Sequence, residues 1–119
     1  AFKLSKETPR QQTARGKAIQ MAMSRAAVVP LRTARGAAKT LELAAIAAEK
    51  GNVNAISDAG TAAHLCHTAL AGAALNVRIN AGSIKDSKKA AGWIKEINDL
   101  EKNAAKTLTG TVKAVAKRM

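Results

Sequence analysis

Almost nothing in this chain is large and flat. Of 119 residues only Phe2 and Trp93 are aromatic, while alanine dominates the 47% of positions that are apolar. A core of small side chains closes only when backbones approach one another closely, and alanine is also the best helix former. A β-sandwich or barrel would draw instead on Val, Ile, Thr and aromatic residues. The expected class is therefore all-α, a bundle of long antiparallel helices. The length suits one domain and is too short for two, so residues 1–119 are read as a single helical domain.

Periodicity divides the chain into three helical segments. The first runs from about Glu7 to Glu49, with Leu31, Ala34, Ala38, Leu41, Ala45 and Ala48 on one face at three-four spacing. Pro30 removes a backbone donor and is expected to kink or split it. Gly51 is suited to the left-handed conformation that closes many helices. Ser57 or Asn54 is the expected N-cap of a central helix running to about Asn80, with Asp58 in its first turn near the positive end of the helix dipole. Gly82 and Ser83 break that pattern. A third helix starts near Asp86 or Ser87, with Trp93, Ile97, Leu100, Ala104, Leu108, Val112 and Val115 as its apolar stripe. Such a central helix is apolar on nearly every side, so its two neighbours leave it under-covered.

Charge is placed at the two ends of the sequence. The formal net charge is +12. Residues 1–39 hold nine Lys or Arg against one acid, residues 40–84 two against three, and residues 85–119 nine against four. Such a field favours anionic partners: nucleic acid, a membrane surface or a small polyanion. A membrane span is not expected. The stretch from Ala59 to Val77 lacks charged residues, but it contains His64, His67 and Asn76 and is rich in alanine rather than leucine. Cys66 is the one cysteine, which rules out an intrachain disulfide and gives no sign of secretion. The sequence opens at Ala1 rather than Met, as a processed chain or a piece of a longer one would.

No Walker loop, dinucleotide glycine pattern, paired-cysteine zinc site or HExxH is present. His64 and His67 share a helical face at ligand-like spacing, but further ligands are not evident and no metal is expected. The unusual features are Gly51-Asn52-Val53-Asn54-Ala55-Ile56-Ser57-Asp58 and Ala74-Leu75-Asn76-Val77-Arg78-Ile79-Asn80. Asn76 and Asn80 lie four apart on one face, and asparagine costs free energy in an apolar helix unless its amide finds a partner. The two readings are a first-turn acid with two buried amides tying helix ends, or a binding site.

The run Ala1-Phe2-Lys3-Leu4-Ser5-Lys6, Arg15 with Ala18-Ile19-Gln20, Val29-Pro30-Leu31, Gly51-Asn52 with Ser57-Asp58, Asn76-Val77-Arg78-Ile79-Asn80 and Lys85-Asp86 resembles, in register over essentially the whole chain, the formiminotetrahydrofolate cyclodeaminase and methenyltetrahydrofolate cyclohydrolase family. Leu4-Ser5-Lys6 departs mildly from the family's Leu-Pro-Lys. Family members also carry earlier helices with a Pro-Gly-Gly-Gly-Ser turn that this sequence lacks, so it resembles the C-terminal portion of the domain. The resemblance implies a tetrahydrofolate derivative as substrate, either cyclised to the methenyl form with loss of ammonia or hydrolysed from it. It implies Asp58 as the catalytic carboxylate and His64 as a proton carrier. Asn52, Asn54, Asn76 and Asn80 would bind substrate, and Arg15 and Arg78 would hold its acidic glutamate tail. A homodimer, or a companion chain supplying the absent helices, is implied as well. The rival is a non-catalytic basic subunit of the same fold that binds RNA or acidic partners; with two aromatics it would read backbone charge rather than stack bases. The compartment expected is the cytoplasm, with a mitochondrion or other organelle as the alternative.

Overall fold

Thr8 sets where the first helix begins. In the computed structural model, which describes residues 1–119, Thr8 Oγ1 accepts from the Gln11 amide at 3.1 Å and Gln11 Oε1 accepts from the Thr8 amide at 3.0 Å. This capping box, with Pro9 in the first helical position, starts α1 (Pro9–Lys50) two residues later than Glu7. A 3₁₀ turn (Val53–Ala55) leads into α2 (Ile56–Ala81), and α3 (Ser87–Arg118) follows a short link. There are three long helices and no strands, as an all-α bundle requires.

Pro30 neither splits α1 nor ends it. The carbonyl that a proline at 30 leaves without its helical donor is that of Ala26. Asn80 Nδ2, reaching across from α2, donates to it at 2.7 Å. A contact 54 residues away in sequence thus repairs the break, which local spacing does not reveal.

Gly51 is also explained differently from the expectation. Its φ is −79°, in the extended region, and no residue of the chain has positive φ. Glycine is needed there because a Cβ would come within 2.5 Å of the Ala47 carbonyl oxygen. The end of α1 is held from α3, where Arg118 Nη1 donates to the Ala48 carbonyl at 2.8 Å and Nη2 to that of Gly51 at 2.6 Å. These are among the carbonyls that a helix C-terminus leaves without partners.

Neither Ser57 nor Asn54 caps α2. The residue before it, Ala55, makes no side-chain cap; Asn52 caps the 3₁₀ turn instead, its Oδ1 accepting from the Asn54 amide at 2.9 Å. Continuity of the turn with the helix replaces a side-chain cap. Asp86 does cap α3, accepting from the Lys89 amide at 3.1 Å.

Antiparallel packing follows from the pairings. Asn80 meets Ala26 and Gln20 meets Ser83, so α2 returns along α1; Arg78 meets Asn98, so α3 returns along α2. Leu31, Leu41, Leu70, Val77 and Ile97 are the large members of the main core, interleaved with buried alanines 34, 63, 74 and 104. A smaller cluster of Ala48, Ile56 and Ala59 closes the far end against Ala114 and Val115. On α3 the stripe shifts by one residue at its end: Thr111 is 2% exposed and Val112 41%. Thr111 continues the row of Ile97 and Ala104, each two helical turns from the last, and it is tolerated because its hydroxyl donates to the Thr107 carbonyl at 2.7 Å.

The result is slender. The radius of gyration is 19.4 Å and the principal extents are 67 × 23 × 15 Å, where a compact domain of this length has a radius of roughly 13–14 Å. Only 17 residues are buried, which leaves α2 exposed on one side, with Leu65 65%, Leu75 63% and Ile79 71% accessible.

Candidate functional site

The unusual residues of the sequence lie along the groove where α1 and α2 meet, away from α3. Small side chains create this groove. Near the α2 C-terminus, Val29, Pro30, Thr33, Gly72, Asn76 and Asn80 line a hollow of about 510 Å³. At the opposite end Leu43, Ala47, Gly51, Asn52, Asp58 and Ala62 line a second hollow of about 380 Å³. Each combines apolar walls with one or two amides or a carboxylate, a composition suited to an organic ligand with a few polar groups.

The structure separates residues that the sequence reading grouped. Asp58 and Asn76 stand 18 positions apart on one helix, which at 1.5 Å per residue is about 27 Å. Within one chain they cannot touch the same reacting atom. Asn52 shares the hollow of Asp58, and Asn80 that of Asn76. Asn54 is exposed beside Asn52 and gives its amide N–H to that side chain. His64 lies between the two hollows, exposed, and lines neither.

The two asparagines differ as well. The Asn80 amide is half-buried and committed to Ala26, so it serves the fold. Asn76 is exposed, its only partner the Gly72 carbonyl at 3.4 Å, so the reading of two buried amides holds for neither in full. Arg78 turns from the groove toward α3, pairing with Glu101 and donating to Asn98 Oδ1 at 2.8 Å. His64, Cys66 and His67 gather no further ligand, and no group of three or more His, Cys, Asp or Glu side chains converges.

A cluster that the sequence reading did not assemble lies where α1 begins. Lys6 from the N-terminal arm, Arg15 from α1 and Lys85 from the α2–α3 link border one cavity of about 350 Å³. The signal for it was topological: once α2 returns along α1, positions near 85 must meet positions near 15.

A match to the formiminotransferase-cyclodeaminase family covers residues 1–99, ending within α3. The chain is 42% identical over 100 residues to the methenyltetrahydrofolate cyclohydrolase of Methylorubrum extorquens. That alignment takes in 84% of this chain and 48% of the relative, so the chain spans about half the length of the curated protein it matches. No helix is long and apolar enough to cross a membrane. With a match over most of its length, beginning ahead of α1 and running through α2 into α3, the chain belongs to the formiminotransferase-cyclodeaminase family.

Proposed function

We propose that the chain serves folate one-carbon metabolism, as part of a methenyltetrahydrofolate cyclohydrolase. The observation that carries this reading is the 42% identity to a protein of that name, in a chain whose α1–α2 groove presents Asp58 near one end and Asn76 near the other. In that reaction water adds to the cationic one-carbon centre and loses a proton. One carbon–nitrogen bond then breaks, and the released nitrogen is protonated as the formyl compound forms. A fixed carboxylate stabilises the cation and accepts the proton from water, which is the role of Asp58; His64 carries the proton onward. Asn76, with the Oδ1 of Asn80, orients the pterin, while Asn52 and Asn54 hold the one-carbon end. Arg15 holds the acidic tail. Arg78, engaged by Glu101, contributes field rather than contact.

The separation of Asp58 from Asn76 gives this reading a condition. The two ends come together only across chains, when a second copy, or a companion segment, lies antiparallel on the groove and brings one chain's Asp58 to the other's Asn76. Material purified with whatever accompanies it should consume the methenyl chromophore faster than the uncatalysed rate. Asp58→Asn should abolish that turnover while changing stability by less than about 0.5 kcal/mol, because the side chain is exposed. Unchanged turnover removes Asp58 from the mechanism. Appearance of the chromophore from formiminotetrahydrofolate would assign the deaminase branch instead.

A further inference from the structure

The cavity beside Lys6, Arg15 and Lys85 is assembled by two glutamines. Gln12 Nε2 donates to the Lys6 carbonyl at 3.0 Å, which ties the N-terminal arm to α1. Gln20 Oε1 accepts from the Lys85 amide at 3.0 Å and its Nε2 donates to the Ser83 carbonyl at 3.3 Å, which ties the α2–α3 link to the same helix. Three segments distant in sequence therefore bring three cations around one hollow.

No carboxylate lines that hollow; its other walls are Gln12, Gly16, Ile19 and Gln20. The nearby Asp86 has its carboxylate engaged at the start of α3, accepting from the Lys89 amide. The Arg15 guanidinium lies 5.7 Å from the centre of the Phe2 ring, which restricts its plane. Its Nε is shielded from solvent and has no hydrogen-bond acceptor. A shielded guanidinium donor without an acceptor is costly, and a charged oxygen is the acceptor that best offsets the cost. Like charges held together by glutamine ties repel until an anion joins them.

We infer that this cavity is an oxyanion site, taking a carboxylate or phosphate group with two or more negative charges through Lys6, Arg15 and Lys85. The site does not depend on the folate reading. If that reading holds, a glutamate tail is one source of the charge; a free phosphate is the other. Calorimetric titration of the chain with inorganic phosphate and, separately, with triglutamate distinguishes them. At least one probe should bind saturably, and Arg15→Gln or Lys85→Gln should weaken it about tenfold each, while Lys113→Gln, far along α3, leaves it unchanged. Tighter binding of triglutamate than of phosphate assigns the tail; the reverse assigns the free ion. Arg15→Lys, which keeps the charge and loses the planar fork, should fall between wild type and Arg15→Gln. Thermal melts of each variant show whether it is folded, and Lys85, exposed, serves if an Arg15 variant is not. Binding of neither probe, or equal binding by wild type and both Gln variants, would overturn the site. Turnover is read separately, so a chain that binds anions and turns over no folate would sink the proposed reaction alone.

Discussion

Each acid within α3 is held by a cation, two of the three across the seam where α3 lies against its neighbours. Glu96 takes Arg35 through two hydrogen bonds of 2.7 and 2.8 Å, Glu101 takes Arg78, and Asp99 takes Lys95 one turn away. Across the molecule, the outward face of α2 carries Thr61, Leu65, Thr68, Gly72, Leu75 and Ile79 at three-four spacing, exposed and without a charge. Both are helix surfaces, yet one is completed by this chain and the other is not. Burying each exposed Leu or Ile would contribute roughly 1.5–3 kcal/mol, a gain the isolated chain forgoes. The pairing of α3 and the bareness of α2 therefore describe one division, between contacts made inside the chain and a face suited to contacts beyond it.

The same substitution on either side of α2 tests that division most sharply. Leu70 is 1% exposed in the core and Leu75 63% exposed on the bare face. Leu70→Ala should cost about 2–5 kcal/mol in chemical denaturation, and Leu75→Ala less than about 0.5 kcal/mol. Equal costs would mean that the outward face is covered in solution.

A smaller effect is expected where the two sides meet at Asn80. Asn80→Ala removes the donor to Ala26 and should destabilise by about 1–3 kcal/mol, with Asn76→Ala near zero. Pro30→Ala restores a main-chain donor to that carbonyl, so Asn80→Ala should cost less in the Pro30→Ala background. A double-mutant cycle without coupling would show that the asparagine does not compensate the proline.

The smallest effect belongs to the paired seam. Hydrogen bonding from Arg35 holds the Glu96 carboxyl below its ordinary 4.5. A carboxylate lowered on folding stabilises the fold above its unfolded value, and that contribution is lost as pH falls through the lower folded one. Because both partners are substantially exposed, the pair should contribute less than about 1 kcal/mol. Glu96→Gln should flatten the decline in stability below pH 4.5. An undiminished slope would place the acid sensitivity in other carboxylates.

Much of the fold could be read from local pattern. The three helices, the Asp86 cap and the exposed side of α2 all follow from spacing and from residues within one turn of each other. What could not be read depends on contacts far along the chain. Pro30 stays helical because of Asn80, and Gly51 is required by the approach of Ala47 rather than by a left-handed turn. The end of α1 is closed by Arg118. Val112 gives way to Thr111 because the buried row of α3 keeps the seven-residue step of Ile97 and Ala104, which two steps of four through Leu108 overrun. The candidate site was legible as a set of residue types, since asparagines and an acid are conspicuous among alanines. Its arrangement was not, because neighbours in a motif become distant points on a helix, while Lys6, Arg15 and Lys85, scattered in the sequence, become neighbours.

The fork of Arg118 onto Ala48 and Gly51 also bears on the order of events during synthesis. Those carbonyls wait for a partner some 70 residues downstream, so while the chain emerges from the ribosome the end of α1 has no clamp. The Asn80 contact with Ala26 is available much earlier. A nascent hairpin of α1 and α2 would thus be fastened at Pro30 first and remain frayed at its turn until α3 is complete, with the bare face of α2 open to other chains throughout.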